Sequence, residues 1–176
     1  MAEIDGSAPL RPSSGMGKLS LLPGDSGAYA LVIRLRSAFR GDVGALGSVA
    51  LPAGAYAYLG SANGPGGIAA RVGRHLRKEK PLHWHVDRLT AAGTVSEVAT
   101  WPGGTECALV AALEASARVS IPVGGFGSSD CRTCRAHLLR LESVAASLKS
   151  LRAVSGVSVY SAASLGPSAA TDPSTV

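Results

Sequence analysis

The sequence predicts an α+β fold, a small antiparallel sheet of three strands flanked by helices. Three observations lead there. The apolar stretches "GAYALVIRLR", "SVALPAG" and "AYAYLGSA" carry the branched and aromatic side chains that suit a pleated surface. The connectors between them, "GDVGALGS" and a Pro-Ala-Gly turn, are short and rich in turn formers, as antiparallel pairing requires. Beyond Gly67 the apolar period shifts from two residues to 3.6, the repeat of a helix face.

The elements follow in order. Residues 1–24 are rich in Ser, Pro and Gly and read as a flexible N-terminal arm. The first strand is apolar at its start and alternates later, and the two short strands come next. "ANGPGG" ends the last of these, and Ile68–Lys78 is expected as a helix with Ile68, Ala69, Val72 and Leu76 on its buried side. Arg71, Arg74, His75 and Lys78 form a separate polar ridge. "PLHWHVDRLTAAG" reads as a second short helix stopping at Gly93, and "TVSEVATW" alternates like a strand. "TECALVAALEASARV" is an amphipathic helix with Thr105 as its N-cap. "SIPVGGFGSSDC" is a loop, and "CRTCRAHLLRLESVAASLKSLRAV" is expected to be helical for much of its length. After Gly156 the Ser/Ala/Pro-rich composition predicts a mostly disordered tail around the apolar "VSVYSAA". The expected organisation is an arm over 1–24, one α+β domain over 25–142, a C-terminal helix over 143–155 and a tail over 156–176.

Hydrophobic residues make up 46% of the chain and charged residues 16%, which excludes a wholly disordered protein. No apolar run reaches the ~18 residues of a membrane span, and "MAEIDGSAPLRPSSGMGKLS" lacks the basic start and apolar stretch of a secretory leader, so the expected location is cytoplasmic with no membrane partner. The formal net charge is +5. Between Arg71 and Arg88 stand six Lys/Arg against Glu79 and Asp87, so most of the surplus lies in one stretch. That favours a polyanionic partner, although a solvated helix face gives the same pattern. The cysteines are Cys107, Cys131 and Cys134, an odd number that argues against a disulfide framework and leaves metal binding, redox chemistry or burial.

Three constellations could carry chemistry. Tyr56 and Tyr58 share one face of a strand, and Arg71 follows on the first turn of the next helix, where N–H groups and the dipole favour an anion. A phosphodiester there would meet a bidentate guanidinium and a phenol; the plainer reading is two half-buried sheet residues and a surface charge. Glu106, beside the cap Thr105, either complements the helix dipole or ligates one divalent cation. The third set is His83, His85 and Asp87 in "HWHVDRL" with Asp130, Cys131, Cys134 and His137 in "SSDCRTCRAH". Cys131, Cys134 and His137 have compact zinc-ligand spacing, which Cys107, His83 or His85 could complete. A hydrogen-bonded network that staples loops, or a catalytic Cys–His pair, remain the alternatives.

The order of these residues resembles the GIY-YIG endonuclease superfamily. Gly27-Ala28-Tyr29 and Tyr58-Leu59-Gly60 stand where its two tyrosine motifs would be. Arg71-Val72-Gly73-Arg74-His75 is similar to its catalytic Arg-x-x-x-His helix, and Glu106-Cys107-Ala108-Leu109 to its metal-binding Glu-x-Ala-Leu segment. More narrowly, "YLGSA", "RVGRHLR", "HWHVDRL" and "GFGSSDCRTCRAHL" resemble a branch catalogued as domain of unknown function 123, found alone or fused to endonuclease III-like repair proteins. Where the better-known nucleases carry a late asparagine, this chain has Gly127-Ser128-Ser129-Asp130. The resemblance implies a metal-dependent nuclease, with DNA favoured over RNA and repair as its setting. Tyr58 would be the general base with its phenol pKa lowered by metal and cations, Arg71 the phosphate clamp, Tyr29 and His75 pocket partners, and Glu106 the ligand of one Mg2+ or Mn2+, with zinc the second choice of metal. Arg74 is expected beside the phosphate, and Arg74, Arg77, Lys78 and Lys80 along the nucleic-acid backbone. The rival expectation is a non-catalytic nucleic-acid-binding or adaptor module on the same fold, zinc-stabilised if the Cys/His set binds metal, and a third is a zinc-stabilised structural domain.

Overall fold

The computed structural model describes residues 18–166; most of the expected arm and the end of the expected tail lie outside the described residues. Twelve regular elements follow in chain order. Strand β1 (Gly27–Leu35) leads to a small hairpin of β2 (Phe39–Asp42) and β3 (Ser48–Leu51), and then to β4 (Gly54–Ala62). Helices α1 (Gly67–Leu76) and α2 (His85–Ala92) precede β5 (Thr94–Pro102) and α3 (Glu106–Ser116). Strands β6 (Val119–Ser120) and β7 (Leu138–Leu141), helix α4 (Val144–Ala153) and β8 (Ser158–Ser161) complete the described chain.

The α+β class holds, but the sheet has six strands, not three, in the order β6-β7-β4-β1-β5-β8, and each pairing is antiparallel. "SVAL" is a strand, yet it does not join this sheet: β3 pairs only with β2. Its place beside β1 is taken by β5, the alternating "TVSEVATW" segment. The long helix expected across "CRTCRAHLLRLESVAASLKSLRAV" is a loop, then β7, then α4. Ser143 caps α4 by accepting the Ala146 N–H at 3.3 Å, and "LLRL" is buried at three of its four positions, as an inner strand demands. The apolar "VSVY" becomes β8 at the sheet's edge.

The apolar run of β1 is central because both faces of the sheet are covered. Leu31, Ile33, Tyr56, Tyr58 and Val98 face Ile68 and Val72 of α1, Val86 and Leu89 of α2, and Phe126. Ala28, Ala30, Val32, Ala57 and Leu59 face Leu109, Val110 and Leu113 of α3 and Leu151 of α4. Small residues on β1 and β4 at that second face let α3 lie close to the sheet. Among the described residues, no helix is long and apolar enough to cross a membrane.

Candidate functional site

A pocket of about 650 Å³ opens where β1, β4, α1 and the N-terminus of α3 converge, and Tyr29, Tyr58, Arg71, His83, Trp84, His85, Glu106, Asp130, Cys131 and His137 line it. Four residues expected to act together, from four separate elements, therefore meet in one cavity.

The tyrosines owe their placement to a glycine. Tyr29 on β1 pairs with Gly60 on β4, and a Cβ at Gly60 would sit 2.5 Å from the Tyr29 ring. Gly60 is thus a mid-strand gap across which the Tyr29 ring lies. The Tyr29 hydroxyl is 2.9 Å from His75 Nε2, and His75 Nδ1 faces Asp87 Oδ1 at 3.3 Å with geometry poorer than a full hydrogen bond. Burial lowers the His75 pKa, so its ring is neutral; the facing carboxylate favours the proton on Nδ1, which leaves Nε2 to accept from Tyr29. Burial raises Tyr29 well above the usual phenol value, with the Tyr58 side chain adding to the effect. Tyr58 is pushed up to about 12, again by burial, with only Arg71 pulling it down. The lowered phenol pKa expected for Tyr58 is therefore not a property of the protein's own groups. Tyr56 turns away from the pocket and donates to Pro52 O at 2.7 Å.

Arg71 sits one turn into α1, not in the first turn. The first-turn N–H groups are already taken: Ile68 N donates to Asp25 O at 3.0 Å and Ala69 N to Pro23 O at 2.9 Å, so the expected helix-terminus anion site is closed. Among the described residues Arg71 has no carboxylate partner; its guanidinium carbon lies 4.2 Å from the Trp84 ring centroid. Trp84, which sequence reasoning left without a role, lies against Arg74 at the same distance. Its only advance signal was being the sole aromatic in the basic stretch.

The rest of that stretch is largely spent inside the fold. Arg74 makes a forked ion pair with Asp87 (2.8, 3.0 and 3.0 Å) and donates to Pro81 O at 2.6 Å. Lys78 Nζ donates to Thr90 O at 3.0 Å and to Gly93 O, and Lys80 Nζ to His75 O, Arg77 O and Thr90 Oγ1 at 2.7–2.9 Å. These cations tie the C-terminal end of α1 to α2. Of the residues expected to follow a nucleic-acid backbone, Arg77 alone stays exposed with no side-chain partner among the described residues. Asp87 is fully buried; burial opposes its charge, but His75, Arg74 and the backbone N–H groups of Trp84 and His83 hold the carboxyl far below the usual range.

Glu106 opens α3 at the pocket rim, half-buried, after Thr105, whose Oγ1 accepts the Ala108 N–H at 3.3 Å as the sequence predicted. The next residue belongs to a second cluster. The ligand atoms of Cys107, Cys131, Cys134 and His137 all lie within 4.8 Å of one another, a Cys3His set compatible with a metal site and closer in chemistry to zinc than to Mg2+ or Mn2+. His83, His85, Asp87 and Asp130 lie outside it: Asp87 serves Arg74 and His75, and His85 Nδ1 accepts the Gly127 N–H at 3.3 Å. Backbone N–H groups of Cys134 and Thr133 pull the Cys131 thiol down to about 6, while burial and the neighbouring thiols push Cys134 up to about 12.

A family model described as "Domain of unknown function DUF123" matches residues 28–158, from β1 into β8. No curated protein matches the chain, and no solved structure does.

Proposed function

The chain belongs to the DUF123 family, and from that premise we propose that it is a metal-dependent endonuclease of the GIY-YIG kind, hydrolysing phosphodiesters in nucleic acid, DNA before RNA. The observation that supports this is the one pocket shared by two phenols, an arginine with no carboxylate partner among the described residues and a half-buried glutamate.

In this reading Arg71 clamps the non-bridging phosphate oxygens with two parallel N–H donors. Glu106 would hold one Mg2+ or Mn2+ through its hard carboxylate oxygens, and such an ion would supply Lewis-acid stabilisation of developing negative charge. Tyr29, and not Tyr58, is the base, because its proton has an outlet. The attacking water gives a proton to the Tyr29 oxygen as the Tyr29 proton passes to His75 Nε2, and Asp87 stabilises the resulting imidazolium. The new P–O bond forms as the ester P–O bond breaks, and the departing oxygen is protonated from solvent. Tyr58 donates a hydrogen bond to the phosphate. His75 thus acts behind Tyr29 and not on the substrate, consistent with its burial.

The rival adaptor reading draws on one observation: burial keeps both phenols protonated. A cleavage assay separates the two. Labelled single-stranded, duplex, flapped, branched and abasic DNA and matching RNAs are offered with Mg2+, Mn2+ or EDTA, beside Glu106→Gln. Metal-dependent cutting that is lost in the variant is the expected result; binding without cutting, unchanged in the variant, establishes the adaptor. Cutting of abasic or flapped DNA would further support the proposed link to endonuclease III-like repair.

A further inference from the structure

The segment Ile121–His137 contains no helix or strand, yet it forms a wall of the pocket. It is longer than the roughly 12–15 residues that a structureless connection in a compact domain usually reaches. Little apolar burial holds it, with Phe126 the one large side chain fully inside. Its backbone bonds are few: Gly125 N to Arg135 O, Ser128 N to Gly125 O, Cys131 N to Ser128 O and His137 N to Phe126 O within the segment, and Leu59 N to His137 O from β4. Three of the four Cys3His ligands lie on this segment, and the fourth, Cys107, lies on α3.

We infer that Cys107, Cys131, Cys134 and His137 hold one permanently bound zinc ion that braces the pocket wall and sets the position of Glu106 against Tyr58. The cluster already approaches the shape such an ion needs. Zn–S bonds near 2.3 Å place tetrahedral ligand atoms roughly 3.5–3.8 Å apart; Cys107 Sγ is 3.5 Å from Cys131 Sγ and 3.9 Å from His137 Nε2. Cys131 Sγ also accepts the N–H groups of Thr133 and Cys134 at 3.4 and 3.2 Å, bonds that favour a metal-bound thiolate over a neutral thiol. Four protein ligands leave no open position, so the ion is a structural one and does not compete for the oxygen chemistry of Glu106.

The brace reaches the reacting groups through single residues. Cys107 follows Glu106 directly. His137 accepts the Leu59 N–H through its carbonyl at 2.9 Å, beside Tyr58 on β4. Gly127, held in a left-handed conformation (φ +72°), lies so close to Tyr58 that a Cβ there would meet its ring at 2.7 Å. Closing the metal site therefore draws the start of α3, the loop and the strand carrying Tyr58 into one unit. The inference concerns the pocket's architecture; that the pocket cuts a phosphodiester is the reading above, and the two fail separately.

The test is elemental analysis and X-ray absorption on the full chain purified without chelators, followed by backbone NMR before and after zinc removal. Expected are one zinc per chain, a shell of three sulfurs and one nitrogen, and shifts or broadening on removal confined to 105–107, 121–137 and Tyr58–Leu59, with α4 and β8 unmoved. Cobalt substitution should give the intense thiolate charge-transfer band of a tetrahedral sulfur site. Cys134→Ser should lose the metal, and because that variant could fail to fold, His137→Cys is the companion that keeps one zinc, now in a four-sulfur shell, with the backbone NMR spectrum of α4 and β8 unchanged. Absence of zinc, with no uptake on titration, overturns the inference. So does a bound zinc whose removal leaves 121–137 unmoved. Zinc present in a protein that cuts nothing overturns only the nuclease reading.

Discussion

Replacing Asp87 by alanine is the most demanding test of how this site is held. The fully buried carboxylate receives three guanidinium contacts from Arg74 at 2.8–3.0 Å and the N–H groups of His83 and Trp84 at 2.9 and 3.0 Å, and it faces His75 Nδ1 at 3.3 Å. Removing it strands a largely buried guanidinium and uncaps the start of α2. Breaking one side of a buried pair costs about 3–5 kcal/mol. For a chain of this size each kcal/mol is worth about 2–4 °C, so the melting midpoint should fall by about 6–20 °C. The assay is a thermal melt of wild type, Asp87→Ala, Arg74→Met and the double variant. Because Arg74→Met strands a buried carboxylate in turn, the double variant should lose markedly less than the sum of the singles, with a coupling of about 1–3 kcal/mol. A melt of Asp87→Ala within about 2 °C of wild type, or strictly additive losses, would refute the argument that this network joins α1 to α2.

Three further outcomes are expected. Stability should fall on acidification in two stages. His75 has a depressed folded pKa, so its contribution is lost as the unfolded ring takes up a proton below about pH 6.5, and Asp87, also depressed, adds a second loss below about pH 4. Denaturant melts across pH 3–8 read this, and His75→Gln should flatten the upper stage alone. Gly60→Ala should displace the Tyr29 ring and cost about 1–3 kcal/mol, visible as a lower denaturation midpoint and a changed His75 imidazole NMR shift; an unchanged shift would mean the ring does not depend on that gap. Arg71→Lys keeps the charge but not the fork, and under the proposed mechanism should cut turnover about 10²–10³-fold with the melt unchanged.

The strands and helices carrying Tyr29, Tyr58, Arg71 and Glu106 were legible because each has a local cause: an apolar run, a 3.6-residue period, a threonine cap. Partnership was less legible. "SVAL" has strand composition, but nothing local says that it pairs back onto "FRGD" instead of onto β4. "HLLRL" satisfies a helical period as well as an inner strand, and only Ser143, read as a cap, would have started the helix later. The ion pair of Arg74 with Asp87 was invisible for another reason, since a basic residue reads as surface until its partner is known. The Cys3His set was half visible: the Cys-x-x-Cys and His137 spacing was explicit, while the choice of Cys107 over His83 or His85 depended on where α3 begins.

The internal use of the lysines bears on salt. A binder that neutralises phosphates loses affinity with a slope of about −0.9 per contact in log K against log salt on duplex DNA. Were all six basic residues between Arg71 and Arg88 to engage phosphates, a rise from 50 to 200 mM salt would weaken binding about 2,000-fold by that slope. With Arg74, Lys78 and Lys80 committed to carbonyls and a carboxylate, three remain, and the same rise should weaken it only about 40-fold. A nucleic-acid substrate would then be held more by the shape of the pocket than by a cloud of charge, with little affinity spent on intact strands that merely pass by.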